Sequence, residues 1–242
     1  MSGQSVVMLH GFGGTGRAFD GVIAALPPES YTPIALDLPG HGSRGATDQS
    51  ITYEHCVELV LAQSPSRFVL CGYSMGARIA LRTALAAPQR VSRLVLVSAT
   101  AGIQPETERQ ARLAADERLA AQIESEPMER FVARWRSQPM FAQEPAAVRE
   151  VASADHRRNT TAGIAAALRA IGSGAMPPLW DRLGELEMPV LVLAGERDAK
   201  YWALGERIAA ATPRGSLRVV AGGHGLLLEN SVAVAQAISD PI

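Results

Sequence analysis

Short, continuously apolar runs recur along the chain, each followed by a stretch with helical character. Val6–Leu9, Pro33–Leu36, Phe68–Cys71 and Leu94–Val97 are such runs, and the pattern resumes at Val190–Ala194 and 217–220. Apolar, β-branched runs without polar alternation suit parallel strands buried on both faces. The segments between and after them, at about 17–26, 52–63, 75–87, 201–211 and 226–238, read as helices. Parallel strands need long crossovers, and helices supply them. The alternation therefore predicts an α/β protein with a mostly parallel, doubly wound sheet. At 242 residues, 47% of them hydrophobic, the chain can bury a full core, which excludes a disordered or disulfide-stapled chain.

Residues 104–171 interrupt the alternation. Ala, Arg, Glu and Gln dominate there, no run reads as a strand, and Pro127, Pro139 and Pro145 divide the segment into short helices. An all-helical insert of this size within a parallel sheet predicts a lid over the sheet's carboxyl edge, where open α/β sheets bind ligands. The expected organisation is a core of residues 1–103 and 172–242, with a helical cap of 104–171 inserted before the last two strands.

Charge excludes several partners. The 24 acidic and 23 basic residues leave a net charge of −1, too small for a global field that recruits nucleic acid or a membrane surface. No apolar run approaches 18 residues, so no membrane span is expected, and the N-terminus lacks the features of a signal peptide. Cys56 and Cys71 are too few for a disulfide framework and sit in apolar contexts, which predicts buried free thiols in a reducing, cytoplasmic compartment. The sequence carries no signal for a particular oligomeric state. Twenty-two of the 23 bases are arginine, the exception being Lys200, and ten of the arginines fall between Arg109 and Arg169.

Chemistry enters at Gly72-Tyr73-Ser74-Met75-Gly76, between the run ending at Cys71 and the helix expected over 75–87. G-x-S-x-G in a strand–turn–helix context projects its serine above the sheet on a strained turn. Ser74 also falls at a helix N-terminus, whose partial positive charge favours a developing alkoxide. His10-Gly11-Phe12-Gly13-Gly14 follows the first strand, where an oxyanion-hole loop belongs, so the backbone N–H groups of Phe12 and Met75 are expected to face one oxyanion. His10 and His41 read as residues that order their loops.

The chain order Ser…Asp…His then selects the partners. Of five histidines, only His224 follows the last expected strand. Asp198, in Gly195-Glu196-Arg197-Asp198, follows the strand Val190–Ala194. Its competitor Glu196 falls too near the strand end to reach across. Ser74, Asp198 and His224 thus form the expected triad. Arg78 lies four residues after Ser74 on the same helix, and helical side chains lean toward the N-terminus, so its guanidinium is expected in the serine's pocket. A buried cation there suits an anionic substrate and burdens a hydrolase of neutral esters.

These motifs and the helical insert resemble the α/β-hydrolase superfamily over essentially the whole chain. Gly72-Tyr73-Ser74-Met75-Gly76-Ala77-Arg78, Trp135-x-x-Gln138-Pro139-x-Phe141, Leu179-Trp180-x-x-Leu183 and Asp198-x-Lys200-Tyr201 are similar, more narrowly, to the 2-succinyl-6-hydroxy-2,4-cyclohexadiene-1-carboxylate synthases of menaquinone biosynthesis. The resemblance implies a lyase that eliminates pyruvate, with the triad starting a proton abstraction and no acyl-enzyme. It implies no metal, no organic cofactor and a small polycarboxylate substrate. It also implies carboxylate-binding roles for Arg78, Arg112 and Arg157, with Arg158 the alternative to Arg157, and pocket roles for Tyr73 and Trp135. The sequence departs from the family pattern at Ala77, where glycine is usual, at Arg136, where an aromatic is frequent, and in the apolar Leu226-Leu227-Leu228 after His224. The alternative activity is a serine carboxylester or carbon–carbon bond hydrolase using the same triad; a binding protein without turnover is disfavoured because it has no need of Asp198.

Overall fold

A computed structural model describes residues 3–45 and 51–240, so the outermost residues of the expected core segments, 1–2 and 241–242, lie outside it. The strands are β1 (Gln4–Leu9), β2 (Tyr31–Leu36), β3 (Phe68–Tyr73), β4 (Val91–Val97), β5 (Val190–Gly195) and β6 (Gly215–Val220). They form one sheet in the order β2-β1-β3-β4-β5-β6, and every neighbouring pair is parallel. The order reverses beside β1, which creates the crevice at the carboxyl edge where the loops after β1 and β3 meet.

The helices of the sheet layers are α1 (Asp20–Ala25), α2 (Tyr53–Gln63) and α3 (Met75–Ala86), then, after the insert, α8 (Ala199–Ala211), α9 (Leu226–Glu229) and α10 (Ser231–Ser239). They cover both faces and split the core in two. One cluster, with Leu9, Leu70, Leu94 and Val192, packs under α2, α3 and α8. The other, with Val6, Met8, Val95, Leu193 and Ile238, packs under α1 and α10. Each strand supplies alternate residues to the two faces, so a run buried on both sides needs apolar residues throughout.

The strands extend beyond their apolar runs in both directions. β4 starts at Val91, not Leu94, and includes Ser92 and Arg93. The Arg93 guanidinium donates to the Ile238 carbonyl (2.6 Å), beside the partly exposed lower rim of the sheet. Polar residues close a strand at that rim and hide its first residues from an apolar-run criterion. Two expected helices are interrupted. The 17–26 segment begins as a 3₁₀ turn, Gly16–Phe19, capped by the Thr15 side chain. The 226–238 segment breaks at Asn230, whose Oδ1 accepts from the Ala233 N–H (3.2 Å) and whose Nδ2 donates to the Ala221 carbonyl (2.9 Å). An asparagine that caps a new helix ends the old one.

Between β4 and β5 lie α4 (Glu106–Glu124), α5 (Met128–Arg136), α6 (Ala146–His156) and α7 (Thr161–Ile171), with no strand among the described residues. These helices have a small core of their own, built from Ala120, Ile123, Phe131, Val132, Ile164, Ala165 and Leu168. Pro127 and Pro145 stand immediately before α5 and α6, in extended backbone, where a missing N–H costs nothing. No described helix is long and apolar enough to cross a membrane.

Candidate active site

The turn between β3 and α3 puts Ser74 at φ +51°, ψ −106°, a conformation that costs a non-glycine residue about 1–3 kcal/mol. The surroundings hold it there. The Ser74 N–H donates to the Val97 carbonyl (2.9 Å), and the helix begins at the next residue. Gly76 is obligatory for close approach, since a Cβ there would lie 2.1 Å from the Leu9 carbonyl oxygen. Gly72 faces the helix in the same way, with the Gly76 carbonyl oxygen 2.5 Å from a Cβ position.

Around Ser74 the structure brings together the residues that the sequence separates most widely. Ser74 Oγ lies 3.2 Å from His224 Nε2, and His224 Nδ1 lies 2.7 Å from Asp198 Oδ2. An Nδ1–H donating to the carboxylate leaves Nε2 as an acceptor for the serine proton. Asp198 is fixed as the cap of α8, and Glu196 is exposed beside Arg197. His224 sits between three aromatic rings, Tyr201 at 4.5 Å, Tyr73 at 5.6 Å and Phe141 at 5.9 Å between centroids. Burial raises the Tyr73 hydroxyl well above the ordinary phenol range and shifts Tyr201 in the same direction, so both stay neutral. The Ser98 hydroxyl donates to the His224 carbonyl (3.3 Å), a contact with no motif to announce it.

The N–H groups of Phe12 and Met75 make no hydrogen bond among the described residues, and both residues line the cavity over Ser74. The loop holding Phe12 is fixed by histidines. His10 Nε2 accepts from the Leu38 N–H (3.0 Å), so its Nδ1 donates to the Gly11 carbonyl (2.8 Å). His41 Nε2 accepts from the Gly13 N–H (3.1 Å), so its Nδ1 donates to the Pro39 carbonyl (3.1 Å). Each ring uses one nitrogen as acceptor and the other as donor, the neutral tautomer's pattern.

Burial dominates the titration of this cluster. It pushes His41 down to about 3 and, aided by the charge of Arg136, His156 down to about 4. The unfolded chain protonates both near 6.5, so their stabilisation is complete above that pH and is lost as pH falls toward 4 and then 3. Each histidine contributes a slope of up to about 1.4 kcal/mol per pH unit in that window. The urea midpoint should accordingly fall steadily between pH 6.5 and 4.5; a flat profile contradicts this account.

The cavity holds about 440 Å³ and is roofed by the helical insert. Arg78 is buried in its wall. Its Nη1 donates to Tyr53 Oη (2.5 Å) and to the Ile171 carbonyl (2.9 Å), while Nε and Nη2 engage no protein acceptor among the described residues. Arg112 also lines the cavity, with its Nε held by Asp116 at 2.7 Å and its side chain 40% exposed. Trp135 packs on Phe12 at 4.9 Å between ring centroids and closes one wall. Lys200 lines the mouth without a carboxylate partner among the described residues.

Arg157 differs from its expected place. It is exposed just beyond α6 and lines a separate shallow depression, outside the cavity; Arg158 is exposed as well, 3.8 Å from Asp155. The cause is helix phase. Asp155, His156 and Asn159 turn inward, which rotates the two intervening arginines to solvent. The cavity takes Arg136 instead, a residue whose sequence position marks only a lost aromatic. It is buried, ion-paired with Glu144 and stacked 3.8 Å over the Phe141 ring. Arg157→Ala should therefore leave catalytic efficiency within about twofold of wild type, as expected for an exposed substitution; a tenfold fall in steady-state kinetics would return Arg157 to the site. Among the described residues, no group of three or more His, Cys, Asp or Glu side chains is arranged to hold a metal ion.

A serine–histidine–aspartate line on a strained turn at the carboxyl edge of a parallel sheet, with a helical insert above it, defines a class of enzyme scaffold. The chain belongs to the alpha/beta hydrolase family, whose pattern matches residues 6–237. Among its relatives in that family are synthases of one name. A putative 2-succinyl-6-hydroxy-2,4-cyclohexadiene-1-carboxylate synthase from Bacillus subtilis (strain 168) is 30% identical, over 98% of this chain and 89% of its own length. The synthase of that name from Klebsiella pneumoniae subsp. pneumoniae is 32% identical, over 97% and 92%. The solved structure of MenH from S. aureus matches with a TM-score of 0.92 and 30% identity, covering 98% of this chain and 92% of that one.

Proposed function

We propose that this protein is a 2-succinyl-6-hydroxy-2,4-cyclohexadiene-1-carboxylate synthase, a lyase of menaquinone biosynthesis. It eliminates pyruvate from 2-succinyl-5-enolpyruvyl-6-hydroxy-3-cyclohexene-1-carboxylate. The observation that carries the reading is Arg78, a buried guanidinium with free donors in the cavity wall, one helical turn from Ser74. A buried cation without a carboxylate partner is costly unless a ligand supplies the anion. Residues 104–171 act as the cap that closes over the bound substrate. Two buried free thiols, Cys56 and Cys71, suit a cytoplasmic enzyme.

The chemistry follows from the positions. His224 accepts the Ser74 proton, and the serine oxygen removes the ring proton next to the succinyl carbonyl. Negative charge develops on that carbonyl oxygen, where the Phe12 and Met75 N–H groups stabilise it. The electrons then pass through the ring alkene to the carbon bearing the enolpyruvyl group. The carbon–oxygen bond breaks, the conjugated diene forms, and the departing enolate takes a proton at carbon to become pyruvate. Asp198 keeps His224 in the tautomer that accepts from serine. Arg78 binds one substrate carboxylate, Arg112 and Lys200 provide further positive charge at the cavity, and Tyr73 and Trp135 shape its apolar walls.

The test is a coupled assay for pyruvate with the enolpyruvyl substrate, run beside an ester substrate. Release of one pyruvate per substrate, with weak p-nitrophenyl ester turnover, is expected. No pyruvate together with an acyl-enzyme burst at Ser74 identifies a hydrolase instead.

A further inference from the structure

The loop that carries Phe12 is gripped from both sides. From the core, the His10 and His41 contacts fix the peptide units on either side of the Phe12 Cα: the Gly11 carbonyl accepts from His10 Nδ1 and from the Gly14 N–H (3.1 Å), and the Gly13 N–H donates to His41. A carbonyl and the N–H of the next residue share one plane and point in opposite directions, so holding the Gly11 carbonyl aims the Phe12 N–H. From the cap, the grip is as dense. The Thr15 N–H and hydroxyl donate to the two oxygens of Asp155 at 2.8 and 2.5 Å. Asn159 Nδ2 donates to the Gly13 carbonyl (2.7 Å), and Asn159 Oδ1 accepts from the Gly42 N–H (2.7 Å). The His156 ring lies against Gly13, with Cδ2 only 2.8 Å from where a Cβ would stand.

Asp155 and Asn159 are both buried, and Asn159 Nδ2 also donates to the His156 carbonyl (3.0 Å) at the end of α6. Their other side-chain hydrogen bonds go to the loop between β1 and α1 and to the turn after β2. A cap that served only as a cover could pack on these loops through apolar side chains. Three hydrogen bonds to one short loop, and a fourth to the neighbouring turn at Gly42, fix that loop instead, because each unmade partner would be a buried, unsatisfied group.

We infer that Asp155 and Asn159 are positioning residues for the oxyanion hole, so that the docked cap completes the grip that holds the Phe12 N–H in place. The inference rests on the proposed lyase reading for its natural substrate, but the loop serves any charge that develops on an oxygen beside Ser74. A bare core would retain Ser74, Asp198, His224 and the His10 and His41 contacts, and lack the hold that Asp155 and Asn159 place on Thr15 and Gly13. The cap would then complete the catalytic geometry as well as covering it.

The experiment is Asn159→Ala in the full-length protein, followed by two rates. One is pyruvate release; the other is phosphonylation of Ser74 by a small aryl phosphonofluoridate, whose P=O oxygen occupies the oxyanion hole without using any carboxylate site. Both kcat for pyruvate and the phosphonylation rate should fall by tenfold to a hundredfold, with KM within about threefold of wild type. Phosphonylation within twofold of wild type in a variant that retains the wild-type circular dichroism spectrum overturns the inference, and so does an effect confined to KM. Where Asn159→Ala does not fold, Asn159→Asp takes its place. It preserves the acceptor for Gly42 and removes the donor to Gly13, and the same thresholds apply. If the wild-type protein releases no pyruvate, the lyase reading fails and the phosphonylation arm still decides the role of Asn159.

Discussion

Replacing Ser74 with alanine should lower kcat for pyruvate release by about four orders of magnitude, the scale of losses seen when one member of such a triad is removed. That corresponds to about 5.5 kcal/mol of transition-state stabilisation. Substrate binding should survive, because Arg78 and Arg112, the proposed carboxylate ligands in the cavity wall, are untouched. The substitution also relieves little backbone strain, since alanine meets the same positive φ that Ser74 endures. Measurement of kcat and of substrate affinity by calorimetry separates the two effects. A kcat within tenfold of wild type would remove Ser74 from the proton transfer and leave the triad's geometry without its proposed use.

Arg78→Ala should act on the other side of that division. A charge-assisted hydrogen bond to a carboxylate contributes about 1.5–3 kcal/mol, so kcat/KM should fall by roughly tenfold to more than a hundredfold. Tyr53 Oη and the Ile171 carbonyl lose their shared donor in the same variant, and some stability should be lost with it. Arg78→Lys should recover only part of the activity. An ammonium presents no planar fork with which to hold Tyr53, Ile171 and a substrate carboxylate together. Catalytic efficiency within twofold of wild type for Arg78→Ala would end the assignment of an anion site there. Ester turnover by the same variant is the useful companion measurement, because a neutral ester draws nothing from the guanidinium.

The two predictions differ in how visibly their residues stand in the sequence, and the reason is physical. The Ser74 turn is local: two glycines are needed within five residues, a strand must precede them and a helix must follow. His224 and Asp198 are distant, yet a parallel sheet delivers the ends of β5 and β6 to one edge, so chain order selects His224 and, with the distance from the strand end, Asp198 over Glu196. Arg78 is fixed to Ser74 by one turn of α3. The cap has no such frame. Its helices are set by their packing on one another and on the loops below, and one residue of phase decides whether a side chain faces substrate or solvent. That is why Arg157 stands outside the cavity and Arg136 within it. The strands' polar first residues and the break at Asn230 escaped for a related reason, since a rim position or a cap depends on neighbours that are far apart in sequence.

The bond from Arg78 to the Ile171 carbonyl bears on how such a chain can change over generations. Ile171 is the last residue of α7, where the insert returns to the sheet. A single-residue insertion or deletion within α7 would move that carbonyl by about 1.5 Å along the helix and 100° around it. The guanidinium would then lose one of the two acceptors that orient it, keeping only Tyr53 Oη. Length variation should therefore accumulate in the turns between the cap helices and be purged from α7. Grafting a foreign cap onto this core should fail to bind the substrate's carboxylate unless the graft ends with a carbonyl in the same place. The proposed anion site is thus inherited jointly, by a sheet helix and an insert that otherwise look free to evolve apart.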